Sequence, residues 1–137
     1  MIKHVFFDLD RTLWDFEKNS HEELMHLWSK HQLHQKGISL PEEFIRIYKG
    51  INESCWALYR DNAITKEDLR TKRFADTLEY FGILDAKVAE NIGHDYVTNC
   101  PYRTALFPNV FKIIDYLKSK YELHIITNGF EEVQHVK

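Results

Sequence analysis

Cysteine is scarce: Cys55 and Cys100 are the only two, isolated from each other and outside any metal-binding spacing. That excludes a disulfide framework and a cysteine-based zinc motif, and it suits reduced thiols in a cytoplasmic protein. Positive charge is not in excess either. Lys and Arg number 18 against 21 Asp and Glu, for a formal net charge of −3, so there is no basic field to hold a nucleic acid. No apolar run approaches the roughly 18 residues needed to cross a bilayer. The N-terminal stretch is too short and turns acidic too soon to read as a signal peptide. Repeats, low-complexity stretches and linker-like segments are also missing. The chain is therefore expected to be cytoplasmic, with neither nucleic acid nor membrane as a partner.

What remains is an ordinary globular composition, with 44% hydrophobic and 28% charged residues among 137. That length supports one domain with a real core. Residues 4–8, His-Val-Phe-Phe-Asp, form a continuous apolar run closed by an acid. Such a run predicts a strand covered on both faces. A helix is predicted over roughly residues 18–35, with Leu24, Leu27, Trp28 and His31 on one face. Pro41 followed by Glu42 and Glu43 marks a second helix start, because proline and acids both favour the first turn. Its apolar stripe is Phe44, Tyr48, Ile51, Cys55 and Leu58. Thr65 to Asp68 has the pattern of a capping box, with Leu69, Phe74, Leu78 and Phe81 beyond it and Gly82 as a stop. Asp85 caps a fourth predicted helix carrying Val88, Ile92 and Tyr96, which Gly93 weakens. Pro108 opens a fifth, with Val110, Ile113, Ile114 and Leu117 expected inward. A second buried strand is predicted at roughly 122–127, turning at Thr127-Asn128-Gly129, and from Phe130 a further helix begins.

Strands joined through a helix should be parallel. The helical insert after the first strand, roughly 90 residues, is too long for a simple crossover. It is expected to form a separate helical subdomain above the strand ends.

The chemistry concentrates at those ends. Asp8 closes the first strand, Asp10 and Thr12 lie in its turn, and Thr127 closes the second. If the strands are neighbours, the four groups face one crevice, the usual ligand position in an open α/β sheet. An ionised Asp8 suits attack on phosphorus, and Asp10 suits proton exchange with the leaving oxygen or the attacking water. Magnesium prefers oxygen ligands and would offset repulsion between Asp8 and a phosphate. The Thr127 hydroxyl and the N–H groups of Asn128 and Gly129 suit phosphate oxygens. Asp-x-Asp-x-Thr alone should arise by chance in roughly one or two per cent of chains this long. A preceding apolar strand and a second one ending Thr-Asn-Gly make coincidence far rarer.

The stretch Val-Phe-Phe-Asp-Leu-Asp-Arg-Thr-Leu-Trp-Asp-Phe resembles motif I of the haloacid dehalogenase-like (HAD) phosphohydrolases, and Leu-His-Ile-Ile-Thr-Asn-Gly-Phe resembles their motif II. The Leu106-Phe107-Pro108 turn and the helical insert, similar to a C1-type cap, fit as well. The segment from Trp56 to Ile83 is most similar to the pyrimidine 5′-nucleotidase branch. The resemblance implies an α/β fold: a Rossmann-like parallel sheet, incomplete here, in residues 1–14 and 101–137, with the cap in 15–100. It implies Asp8 as nucleophile and Asp10 as general acid/base. Mg²⁺ would be bound by the Asp8 carboxylate and the Asp10 backbone carbonyl, and phosphate by Thr127 and Asn128. A small phosphate ester, most naturally a pyrimidine nucleoside monophosphate, is the implied substrate. Trp14 and Phe16 fall in the family's flap, where they either face cap and base or pack the hinge. Arg11 stands where glycine is common in the wider family, though a non-glycine is usual in this branch.

The family's lysine and its later acidic pair are not evident after motif II. Lys137 is close to Thr127 for that lysine, and Glu131-Glu132 reads as a solvated helix turn. The chain is thus expected to be an N-terminal portion of such an enzyme, self-associating through open sheet edges. The alternative is a catalytically silent folding or interaction module; a receiver-type phosphoacceptor is disfavoured by the long insert after Asp8. Among the eight histidines, His31 and His34 share a helix face near His21 and His26, but no acid or cysteine completes a site there.

Overall fold

A computed structural model describes residues 1–137. Its elements are β1 (His4–Asp8), α1 (Phe16–Lys30), α2 (Pro41–Arg60), α3 (Lys66–Tyr80), α4 (Ala86–Asn99), α5 (Val110–Lys118), β2 (Glu122–Ile126) and α6 (Glu131–Gln134), with short 3₁₀ turns at Leu33–Lys36 and Cys100–Tyr102. The chain is a mixed α/β protein. It divides into two compact units: residues 1–20 with 101–137, and residues 21–100. No helix is long and apolar enough to cross a membrane.

In the first unit β1 and β2 pair in parallel, His4 opposite Glu122 through Asp8 opposite Ile126. The register brings both strand ends to the same level. Helix α5 packs against β2. The expectation of strands buried on both faces fails, however. Phe6 is 62% exposed, Ile125 58% and Ile126 61%. A two-stranded sheet with one packed helix has too little material to cover both faces. For the same reason Ile113, expected inward on α5, is exposed. The turn after β1 is buried at Leu9, Leu13 and Trp14, and Asn19, Ser20 and Val110 are buried elsewhere in this unit.

The second unit is helical, and helix α3 packs against both α2 and α4. Pro41 starts α2 at its first turn. Thr65 and Asp68 form the reciprocal capping box of α3: the Asp68 N–H donates to Thr65 Oγ1 at 3.1 Å, and the Thr65 N–H to Asp68 Oδ2 at 3.0 Å. The Thr65 backbone and hydroxyl donors hold the Asp68 carboxyl below its ordinary range. Asp85 caps α4 through its bond from the Val88 N–H at 3.0 Å. The first helix ends at Lys30, earlier than its apolar spacing predicts, because Gln32 turns into the left-handed region at φ 51°. Helix α5 likewise begins two residues after Pro108, behind Asn109 at φ 65°.

Gly93 lies inside α4 and is buried. A Cβ there would stand 2.8 Å from the Arg70 carbonyl oxygen of α3, so the glycine permits the close approach of the two helices. Stacked Tyr48 and Phe74, ring centroids 4.7 Å apart, form the centre of this core with Tyr96. The buried Arg73 guanidinium lies over Tyr96 at 5.1 Å and donates to Asn52 Oδ1 at 3.0 Å. Cys55 and Cys100 are buried free thiols.

Candidate active site

The site is built by the turn that follows β1. The Leu9 carbonyl accepts from the N–H groups of both Leu13 and Trp14 at 3.0 Å, folding residues 9–14 into a compact loop. Arg11 adopts φ 64°, a left-handed conformation. That geometry accounts for the preference for glycine here. The strain at Arg11 is offset by two bonds from its guanidinium to Glu17 Oε1, 3.1 and 2.9 Å, and by the Phe16 ring 4.7 Å beneath it.

The segment 103–107 clamps this loop. The Asp15 N–H donates to the Ala105 carbonyl at 3.0 Å and the Phe107 N–H to the Leu13 carbonyl at 3.1 Å. Asn19, fully buried, donates to the Ala105 carbonyl at 2.9 Å and accepts from the Ala105 N–H at 3.0 Å. The Trp14 indole N–H donates to the Arg103 carbonyl at 2.9 Å, and the residue is 1% exposed. Trp14 is thus packed into the turn after β1 with its one donor engaged. Phe16 is half-buried.

Asp8, at the last position of β1, is exposed. Its Oδ1 accepts from the Leu9 N–H at 2.9 Å. Asp10 and Thr127 are brought together by Gln134, whose Nε2 donates to Asp10 Oδ2 at 2.9 Å and to Thr127 Oγ1 at 2.6 Å. The second Asp10 oxygen accepts from Lys137 Nζ at 2.7 Å. The Lys137 side chain is only 6% exposed, and its ammonium lies 4.2 Å from the Trp14 ring centroid. Thr12 is exposed on the turn, and neither Thr12 nor Asp8 is joined to this network by a side-chain bond; of the four groups, the hydrogen bonds link Asp10 and Thr127.

In the terminal turn of β2 the Gly129 N–H donates to Thr127 Oγ1 at 3.3 Å. Asn128 is exposed. Helix α6 is a single turn, too short to add a useful dipole.

Gln134 and Lys137 carry no signature in a single sequence. Both depend on the chain folding back from β2 over the β1 turn, and Lys137 lies too close to Thr127 in sequence to match the family's lysine by spacing alone. The histidines also fall differently from the sequence pattern. His31 Nε2 pairs with Asp95 Oδ2 at 2.8 Å, beside Lys30 Nζ at 2.8 Å from the same oxygen. Burial of Asp95 works against ionisation, but the bonds from Lys30 and His31 prevail and hold its pKa below the ordinary value.

The oxygen donors at the β1 end suit a hard cation. Asp8 offers an exposed carboxylate with one oxygen outside any hydrogen bond, and no backbone N–H of the turn is directed to the Asp10 carbonyl. Carboxylate and carbonyl oxygens, without sulfur or imidazole, are the donor set magnesium prefers.

Comparison with known proteins gives a consistent family. The family model for haloacid dehalogenase-like hydrolases matches residues 2–137. The pyrimidine 5′-nucleotidase YjjG of Escherichia coli is 26% identical over 133 residues, covering 97% of this chain and 54% of that protein. The pyrimidine 5′-nucleotidase PynA of Streptococcus pneumoniae is 25% identical over 133 residues, covering 96% of this chain and 53% of that protein. The chain thus spans about half the length of the curated relatives it matches. Among solved structures, the magnesium-bound HAD-hydrolase YfnB of Bacillus subtilis superposes with a TM-score of 0.82 at 23% identity, covering 98% of this chain and 56% of that one.

Proposed function

The chain belongs to the haloacid dehalogenase-like hydrolases, and from that premise we propose that it carries the nucleophile half of a phosphomonoesterase acting on pyrimidine nucleoside monophosphates. The reading rests on one juxtaposition: Asp8 and Asp10 at the end of β1, with Asp10 linked through Gln134 to Thr127 at the end of β2. The nucleotidase names of the two relatives support the substrate class.

In this reading an Asp8 carboxylate oxygen attacks phosphorus and the ester P–O bond breaks, leaving an aspartyl phosphate. Asp10 gives a proton to the departing alkoxide, then takes one from the water that hydrolyses the acyl phosphate. Lys137 and Gln134 hold Asp10 in place during both transfers. Thr127 and Asn128 bind phosphate oxygens, and the helical unit acts as a C1-type cap. The Asp8 carboxylate and the Asp10 carbonyl would hold magnesium, which when bound supplies positive charge against the repulsion between nucleophile and phosphate.

The test is phosphate release from dUMP in the presence of Mg²⁺. Asp8→Asn should lower the rate on the order of a thousandfold or more, as loss of a nucleophile does. Release unaffected by that substitution refutes the assignment. Coverage of only about half of each relative favours a second reading, a silent folding or interaction module. Magnesium-dependent turnover by the purified 137-residue chain excludes it.

A further inference from the structure

The opposite end of the sheet holds a second cluster, unrelated to phosphate chemistry. His4 pairs in register with Glu122, and Phe6 with His124. Residues two apart on a strand share a face, so His4, Phe6, Glu122 and His124 all project from the same side. His4 lies four residues before Asp8, about 13 Å back along the strand.

The spacing of the polar atoms is that of metal ligands. His4 Nδ1 is 3.0 Å from His124 Nε2 and 3.3 Å from Glu122 Oε2. All three ligand atoms lie within 4.8 Å of one another. Two ligands each about 2.0–2.1 Å from a tetrahedral zinc ion stand about 3.3 Å apart. The pairs around His4 are therefore already close to coordination distance. The His124 ring is stacked on Phe6, centroids 4.6 Å apart and planes inclined 20°, which restrains its orientation.

We propose that His4, Glu122 and His124 form a binding site for a divalent transition metal of the zinc type. Two imidazoles and one carboxylate favour zinc, cobalt, nickel or copper over magnesium, which prefers oxygen ligands. Three protein ligands leave a coordination position for water, the arrangement of an open rather than a closed site. The ligands come from the two chain-distant strands, so the bound ion clips β1 to β2 where the sheet begins. A metal held by the folded but not the unfolded chain stabilises the fold by mass action.

The experiment is calorimetric titration of the full chain with Zn²⁺, paired with thermal denaturation with and without the ion. The wild type should bind one equivalent at this site and melt at a higher temperature with Zn²⁺. The His4→Gln/His124→Gln double variant should lose that binding and that shift. Glu122→Gln, a substitution at an exposed position, should weaken binding by at least about tenfold, since even loss of an outer-shell partner costs about 10- to 100-fold. Asp10→Asn, at the other end of the sheet, should retain both effects. Melting of the variants in EDTA at the wild-type temperature establishes that they fold. Zn²⁺ affinity unchanged in the double variant, or no saturable binding by the wild type, overturns the proposal.

Discussion

Gly129→Ala is the most discriminating perturbation of the site, because its effect should run entirely through another residue. A Cβ at Gly129 would collide with the Gln134 side chain, at its Cδ and Nε2 atoms and, at 2.8 Å, its Cγ. The backbone at Gly129 is not left-handed, so alanine is otherwise tolerated there. The clash is relieved only if Gln134 swings away and gives up its bonds to Asp10 and Thr127. A neutral hydrogen bond contributes about 0.5–1.5 kcal/mol and one to a charged group about 1.5–3 kcal/mol. Both acceptors are half-buried and regain water, so the loss should fall near 1–2 kcal/mol, or a melting temperature lower by about 4–8 °C for a chain of this size. In a Gln134→Ala background the clash has no target. Alanine at position 129 should then be neutral, or stabilise by about 0.4–1 kcal/mol through the unfolded chain. A double-mutant cycle by thermal and urea denaturation reads the coupling, expected at about 1 kcal/mol or more. Additive effects, or no loss in the single Gly129→Ala variant, refute the packing on which this rests.

Further expectations concern both units. Asn19→Ala leaves the Ala105 N–H and carbonyl without their partner and should cost about 1–3 kcal/mol by urea denaturation. Gly93→Ala should destabilise by about 1–3 kcal/mol although alanine is the better helix former, because the Arg70 carbonyl it meets is backbone and cannot rotate aside. Asp95 has a depressed pKa in the folded state, so its pairing contributes stability above the ordinary carboxylate pKa, near pH 4, and loses it as pH falls through the lower folded value. The fall in melting temperature below about pH 4 should accordingly be shallower in Asp95→Asn. The exposed Phe6, Ile125 and Ile126 and the two open edges should drive self-association of the chain, and a compact monomer on size-exclusion chromatography would contradict this.

Local chemistry determined much of this protein. The apolar run before Asp8, the Thr65–Asp68 box, Pro41 and the Asp85 cap each act within one turn of chain, so their elements appear where the residues call for them. The parallel pairing of β1 and β2 followed from the helices between them. The sequence by itself also singled out Asp8 and Asp10 as the proposed reacting acids, because a carboxylate at a strand end has few structural uses. Tertiary structure decided the rest. It chose Lys137 and Gln134 as the partners of Asp10, buried Trp14 beneath Lys137, and gave Asn19 the Ala105 backbone to hold. It also set His4 beside Glu122 and His124, 120 residues away from the latter. These contacts depend on register and on how the chain returns upon itself. Neither is encoded in the periodicity of any single segment, and so they emerge only when distant segments meet.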